Sequence, residues 1–174
     1  MSRSDVRERA SQLLTHYGIV RPPVPVEQIA VSCGIQIARS AADWSESGFL
    51  LRDAARTIIG INSRNSPKRQ RFTIAHELGH WLLHEGKPLI VDQSVMINKR
   101  DDVSSQATDT EEIEANQFAA ELLMPLPFVT AALNQQMSLG VASRDELITG
   151  LAREFEVSND AMGWRLINLG VLSS

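Results

Sequence analysis

The 174-residue sequence predicts an α+β fold, in which a small mixed or antiparallel sheet packs on helices and a C-terminal helical module follows. Two patterns indicate this class. Short runs rich in β-branched and aliphatic residues occur between residues 35 and 61, whereas later segments place apolar residues at helical spacing. We expect a main domain over residues 1–138 and a helix-turn-helix-like module, packed on it, over residues 139–174.

The first third of the chain alternates between helices and strands. Apolar residues at helical spacing predict a helix over Val6–Tyr17, which Gly18 ends, and a shorter helix over Val26–Cys33. The three prolines within Pro22–Pro25 enforce an extended segment between them. Alternating apolar residues then predict three strands, of which the last two form a hairpin: Ile35–Ala38, Gly48–Leu51 and Thr57–Ile61.

The pattern HELGH follows the hairpin at residues 76 to 80. On a helix, His76 and His80 lie on one face about 6 Å apart, so both imidazoles can reach one metal ion. Glu77 can take a proton from a water at that metal, as in the HExxH pattern of zinc-dependent peptidases. The flanking RFTIA and WLLH make this helix apolar nearly all round, and buried imidazoles and a buried carboxylate need such a partner.

A second helix is predicted over residues 110–125, with Asp109 or Thr110 as its N-cap and Pro125 as its end. Before it, short strands are predicted at Pro88–Val91 and Val95–Ile97. The polar residues 99–109 then predict a mobile loop, either a lid over the metal cleft or a plain connection.

This second helix offers a third metal ligand, and three candidates stay open. Glu112 is preferred, because Asn116 lies one turn along the same face and could hold the second ring nitrogen of a ligand histidine. Glu114 is the first alternative. His84 is the other, but it lies two turns beyond His76 and is rotated by about 80°, so one straight helix cannot easily wrap all three histidines around an ion.

The C-terminal tail contains two further predicted helices. Leu147–Ala152 and Ala161–Leu169 have amphipathic spacing, with a turn at Phe155–Ser158, in a helix-turn-helix-like pattern. A DNA-reading helix needs basic side chains, and Arg165 is the only cation on the second of these helices. We therefore expect a structural or partner-binding module and no direct DNA binding.

Composition sets limits on location and partners. A net charge of −4 gives no broad basic field, which argues against non-specific binding to nucleic acid. The basic residues Arg64, Lys68, Arg69 and Arg71 form either a solvated entry loop or a patch that steers an acidic substrate. Cys33 is the only cysteine, so no internal disulfide is available, and no run approaches membrane-spanning length. We expect a cytoplasmic protein with no membrane partner.

Three stretches together resemble the ImmA/IrrE family of bacterial and phage metallopeptidases: PPVPVEQIA at 22–30, RFTIAHELGHWLLH at 71–84 and EIEANQFAAELLMP at 112–125. The resemblance implies a zincin-like metallopeptidase core of the gluzincin type, with two histidines and a downstream glutamate on one zinc ion, manganese being the alternative. It also implies a substrate class. Members of the family cleave helix-turn-helix repressors, which switches on phage, mobile-element or stress-response genes.

A non-catalytic protein is the rival hypothesis. In this interpretation the metal site is structural or vestigial, and the chain binds a repressor or a toxin without cleaving it, as an antitoxin does. Glu77 favours catalysis, because a purely structural zinc site does not require a carboxylate beside an open coordination position.

Overall fold

The computed structural model of the chain describes residues 1–41, 47–53, 55–84, 88–91, 103–140 and 143–173. Within these ranges, helices and strands are mixed as predicted. The helices are α1 (Arg3–His16), α2 (Val26–Ser32), α3 (Pro67–Leu83), α4 (Val103–Leu123), α5 (Leu126–Ser138), α6 (Arg144–Glu154) and α7 (Asn159–Asn168). The strands are β1 (Ile35–Ser40), β2 (Gly48–Arg52), β3 (Thr57–Asn62) and β4 (Leu89–Val91).

The four strands form one mixed sheet in the order β1-β3-β2-β4. Strand β1 is parallel to β3, whereas β2 is antiparallel to both β3 and β4. The predicted hairpin is therefore confirmed, with Leu50 opposite Ile59. Both side chains are fully buried, so one face of the sheet packs on the core. The predicted strand at Val95–Ile97 lies outside the described residues.

Helix α3 carries the HELGH pattern through the middle of the molecule. Ser66 caps its start by accepting a hydrogen bond from the backbone N–H of Arg69, and Pro67 occupies the first turn, where its missing N–H is harmless. Residues 73–80 are all buried, as the apolar flanks predict. A Cβ at Gly79 would lie 3.1 Å from the Phe118 ring and 3.3 Å from Ala115 Cα. Glycine inside the pattern therefore lets α4 approach α3 closely.

Helix α4 begins earlier than the sequence predicts. It starts at Val103, so the prediction of an N-cap at Asp109 or Thr110 is wrong, as is the predicted loop over residues 103–109. A helix anchored by a packed segment extends cooperatively at little cost, even through polar residues that bring no apolar anchors. Residues 99–102 lie outside the described part of the chain.

Helix α5 has no counterpart among the predicted helices. Pro125 ends α4, as predicted, but it is also the N-cap of α5, with another proline in the first turn. Proline is tolerated there because the first-turn N–H groups have no partner within the helix. A proline that stops one helix can therefore start the next.

The predicted pair of C-terminal helices is present as α6 and α7. Their N-caps, Ser143 and Ser158, each accept a hydrogen bond from a backbone N–H three residues on. Phe155 and Leu166 are fully buried in the same hydrophobic cluster as Phe118 of α4. The helix-turn-helix-like character of the pair and the domain boundary at residue 138 stay predictions. None of the described helices is both long enough and apolar enough to cross a membrane.

Candidate metal centre

Two adjacent helices bring together the three preferred ligand residues. The rings of His76 and His80 on α3 place their Nε2 atoms 3.1 Å apart. From α4, Glu112 places Oε2 3.1 Å from Nε2 of His76 and Oε1 3.1 Å from Nε2 of His80. The histidines are buried, but 22% of the Glu112 side chain is exposed. The cluster is therefore open to solvent on the side of α4.

The spacing of these atoms fits a tetrahedral metal site. Ligand atoms bound to zinc at about 2.0–2.1 Å and at tetrahedral angles lie about 3.3 Å from one another. The two Nε2 atoms, 3.1 Å apart, lie close to the length of one edge of such a tetrahedron, and a different oxygen of Glu112 approaches each of them at 3.1 Å. Two imidazoles and one carboxylate are also a donor set that zinc uses with an open fourth position. The residues present therefore fit the ion that the resemblance implies.

On the side of each imidazole that faces away from the cluster, a neighbouring side chain contacts Nδ1. Nδ1 of His76 lies 3.1 Å from Oδ1 of Asn116, as the spacing from Glu112 predicts. Nδ1 of His80 lies 3.0 Å from Nδ1 of His84. If Nδ1–H of each ring donates to these acceptors, each Nε2 lone pair is directed at the cluster.

The two alternative ligands lie behind this arrangement. Nε2 of His84 lies 2.9 Å from Oε2 of Glu114, and the other oxygen of Glu114 accepts from the amino group of Met1. Both side chains thus point away from the ligand atoms and form a chain of partners behind His80. The described geometry brings Glu112, and neither His84 nor Glu114, to the two Nε2 atoms.

The protonation states suit a cation. Burial pushes the pKa of Glu112 up, but hydrogen bonds with His76 and His80 outweigh it and hold the pKa at about 2. Burial lowers the pKa of His80 below its usual value of 6.5, against the opposing effect of a hydrogen bond in which Glu112 is the acceptor. At neutral pH the carboxylate is charged and the His80 ring is neutral, which are the forms that bind a metal.

Glu77 is fully buried in the same helix, between the two histidines in sequence. Ionised carboxylates are rarely buried without a functional or structural reason, because desolvation opposes the charge. Its role as a base stays a prediction at this point. Its burial in the helix that supplies both histidines suits such a role, since exclusion of water strengthens electrostatic effects on a transferred proton.

Sequence reasoning missed two residues that support the centre. Arg52, at the end of β2, donates to the backbone carbonyls of His80 and His84, each at 2.6 Å. It thereby satisfies two carbonyls of the last turn of α3 and ties the sheet to the centre. The Phe72 ring stacks on His76 with centroids 6.4 Å apart. The only signal in the sequence for Arg52 is a cation that ends an otherwise apolar strand.

Comparison with known proteins links this geometry to a peptidase family. The family described as IrrE N-terminal-like domain matches residues 32–166 of this chain. Radiation response metalloprotease IrrE of Deinococcus radiodurans is 30% identical over 126 residues, which are 72% of this chain and 34% of that protein. Uncharacterized immunity region protein 2 of Bacillus phage phi105 is 32% identical over 94 residues, which are 53% of each chain.

A solved structure shares the fold. The chain described as a Mycobacterium tuberculosis transcriptional regulator aligns with a TM-score of 0.62 and 18% identity, over 94% of this chain and 46% of that one. At this identity the likeness concerns the fold alone. The present chain spans about a third of the IrrE relative and about half of the phage relative.

Proposed function

The chain belongs to the family described as the IrrE N-terminal-like domain, which confirms the resemblance seen in its sequence, and from this premise we propose that it is a zinc-dependent endopeptidase. One observation carries the proposal. The ligand atoms of His76, His80 and Glu112 lie within 4.8 Å of one another, and the helix that supplies both histidines also buries Glu77. A hydrolytic metal centre needs both parts, a set of ligands and a carboxylate beside them.

In this proposal the side chains have separate roles. His76, His80 and Glu112 would hold the ion, with manganese as the alternative to zinc. When bound, the ion polarises the scissile carbonyl and lowers the pKa of water. A carboxylate oxygen of Glu77 accepts a proton from the attacking water and then donates it to the nitrogen of the leaving amine. Asn116 keeps the His76 ring oriented through Nδ1.

As the substrate we propose a helix-turn-helix transcriptional repressor, whose cleavage derepresses phage, mobile-element or stress-response genes. The names of two relatives support a regulatory role, one being a radiation response metalloprotease and the other an immunity region protein. The sole cysteine, Cys33, suits a reducing cytoplasm, where such a repressor acts. Direct binding of this chain to DNA is not part of the proposal.

The test combines the zinc-loaded chain with the helix-turn-helix repressor encoded beside its gene. We expect the wild type to produce two repressor fragments of defined mass, and Glu77→Gln to produce none while it retains the same zinc content. The exposed Glu8→Gln is the matched control and should cleave like the wild type. Equal cleavage by Glu77→Gln would remove Glu77 as the base.

The same mixture distinguishes the rival function. An intact stoichiometric complex without fragments, formed by the fully zinc-loaded wild type, would overturn the peptidase proposal. It would favour a non-catalytic, antitoxin-like binder instead. Mass spectrometry of the mixture reads both outcomes.

A further inference from the structure

A cleft of about 400 Å³ lies between the N-terminal part of α3, one side of α4 and one side of α7. Its lining includes residues of α3 that neighbour the metal cluster and residues of α7 that belong to the C-terminal helices. Among the lining residues are Lys68, Arg69, Phe72, Asn116, Ala161 and Trp164. The cleft therefore joins the candidate metal centre to the part of the chain with no assigned role.

The cleft begins one side chain away from the ligands. Asn116 lines the cleft and also holds Nδ1 of His76 at 3.1 Å. Phe72 lines it as well, and its ring stacks on the same imidazole at an interplanar angle of 28°. The cleft therefore lies against the Nδ1 edge and one face of the His76 ring, behind the ligand atoms, within reach of a substrate side chain that flanks a scissile bond at the cluster.

The walls of the cleft are mostly apolar. Phe72, Met124, Val157 and Ala161 line it together with Trp164, whose side chain is 65% exposed. A large aromatic residue left open to solvent beside a concave apolar surface is typical of a binding site. The volume is sufficient for one aromatic or branched aliphatic side chain and part of a peptide backbone.

The charged residues that line the cleft are all cationic. Lys68 and Arg69 are exposed at its rim, in the first turn of α3. Arg165 lies deeper and is paired with Glu121, so it contributes little net charge. Arg69 also donates to Oγ of Ser47 at 3.0 and 2.7 Å, so the positive charge of the rim rests mainly on Lys68, in a chain whose net charge is −4. The partner of this rim should be acidic.

We propose that this cleft is the specificity pocket of the peptidase, which takes a bulky apolar substrate side chain with an acidic residue beside it. The proposal rests on the proposed function, because it assigns the cleft to the same peptide substrate. It also gives α7 a role, since Trp164 forms part of the wall that selects the substrate. The basic residues near HELGH then steer an acidic peptide, one of the two interpretations that the sequence left open.

The test measures binding without cleavage, with zinc-loaded Glu77→Gln protein. The probe is the N-acetylated, C-amidated dipeptide para-fluorophenylalanyl-glutamate, followed by fluorine NMR, and its lysine counterpart is the charge control. We expect the fluorine signal of the glutamate probe to shift on binding, and this probe to bind about threefold more tightly than the lysine probe, as expected for exposed charges. Equal affinity of the two probes would remove the acidic preference.

Two variants in the same background test the pocket itself. Trp164→Ala removes a wall and Ala161→Trp fills the space, and each should weaken the glutamate probe about tenfold, as expected for loss of one buried aromatic contact. The control Leu139→Ala removes a side chain that is 72% exposed on another surface and should bind like the parent. Unchanged binding by both pocket variants, with folding verified by circular dichroism, would overturn the proposal.

The basic rim is tested by charge reversal. Lys68→Glu should abolish the preference for the glutamate probe, whereas Arg9→Glu on the exposed face of α1 should preserve it. The two proposals can fail separately. Repressor cleavage with unchanged probe binding in the pocket variants would refute only the pocket, whereas pocket-dependent binding without repressor cleavage would refute only the peptidase.

Discussion

Helix α4 carries two polar networks that differ in whether their charges are balanced. Near its middle, the carboxylate of Glu112 faces the ring nitrogens of His76 and of His80, whose pKa is lowered mainly by burial. Near its end, the carboxylate of Glu121 accepts two hydrogen bonds from the guanidinium of Arg165, at 2.9 and 2.5 Å. The second network is a closed ion pair, and the first places an anion beside imidazole nitrogens.

This difference distinguishes a candidate binding site from a structural ion pair. A carboxylate with two imidazoles attracts a cation, and its stability in the fold depends on what it binds. A bidentate carboxylate–guanidinium pair needs no further ligand, and here it anchors α7 to α4. Burial of polar groups alone does not identify a functional site. The Glu112 network differs in that atoms able to bind a metal lie within 4.8 Å of one another.

The largest expected effect concerns the closed pair. Arg165→Met leaves Glu121 buried, with the half-exposed Arg7 as its one remaining ion-pair partner in the described part of the chain, so the free energy of unfolding should fall by about 3–5 kcal/mol. Chemical denaturation followed by circular dichroism measures it. Arg153→Met, at an exposed position of α6, is the control and should change stability by no more than about 0.5 kcal/mol.

The double variant Glu121→Leu with Arg165→Met sharpens this prediction. Replacement of both partners by apolar side chains removes the unpaired buried charge, so most of the lost stability should return. If Arg165→Met alone is as stable as the wild type, the pair does not hold α7 in place.

The next effect concerns the open network. Glu112→Gln removes the only anionic ligand, and the zinc affinity should fall by more than about a hundredfold, beyond the range seen for residues that merely support a ligand. Competition with a chromophoric chelator measures the affinity. Glu111→Gln, one residue away on α4, should bind zinc like the wild type. A Glu112→Gln protein with normal affinity would reopen the choice of the third ligand.

A smaller loss of zinc affinity is expected for a change at Asn116, which contacts His76 on the side of the ring away from the cluster. Asn116→Ala frees Nδ1 of His76, and the zinc affinity should fall by about 10- to 100-fold, as for other residues that orient a metal ligand. Gln117→Ala is the matched control, because its side chain contacts the backbone of Arg3 at the surface. The same chelator titration applies, and equal affinities of the two variants would remove Asn116 from the centre.

The smallest effect is a pH dependence of stability. Burial raises the pKa of Glu121, but hydrogen bonds from Arg165 outweigh it and leave the pKa below 4.5. Because the folded pKa is lower than the unfolded one, this stabilisation is complete above about pH 4.5 and is lost as pH falls through the folded value. Denaturation of metal-free protein between pH 7 and pH 3 should show a shallower acid limb for the double variant than for the wild type.

Local patterns predicted most of the elements that carry the candidate site. The helical spacing of HELGH and its apolar flanks predicted α3, and alternation predicted the hairpin of β2 and β3. The start of α4 at Val103 escaped prediction because a packed helix continues through residues that no local signal marks. Helix α5 escaped because Pro125 signals the end of one helix as well as it signals the start of another.

The sequence by itself determined the chemistry available to this protein. His76, Glu77 and His80 share a helix, and their spacing is a local property of that helix. Only the tertiary structure decided that Glu112 reaches them, whereas Glu114 and His84 lie behind His80. Glu112 and Glu114 are close neighbours in sequence, and the packing of α4 decides which of the two faces the histidines. The tertiary structure also decided that α7 forms one wall of a cleft beside the ligands, because contacts between distant segments leave no periodicity in the sequence.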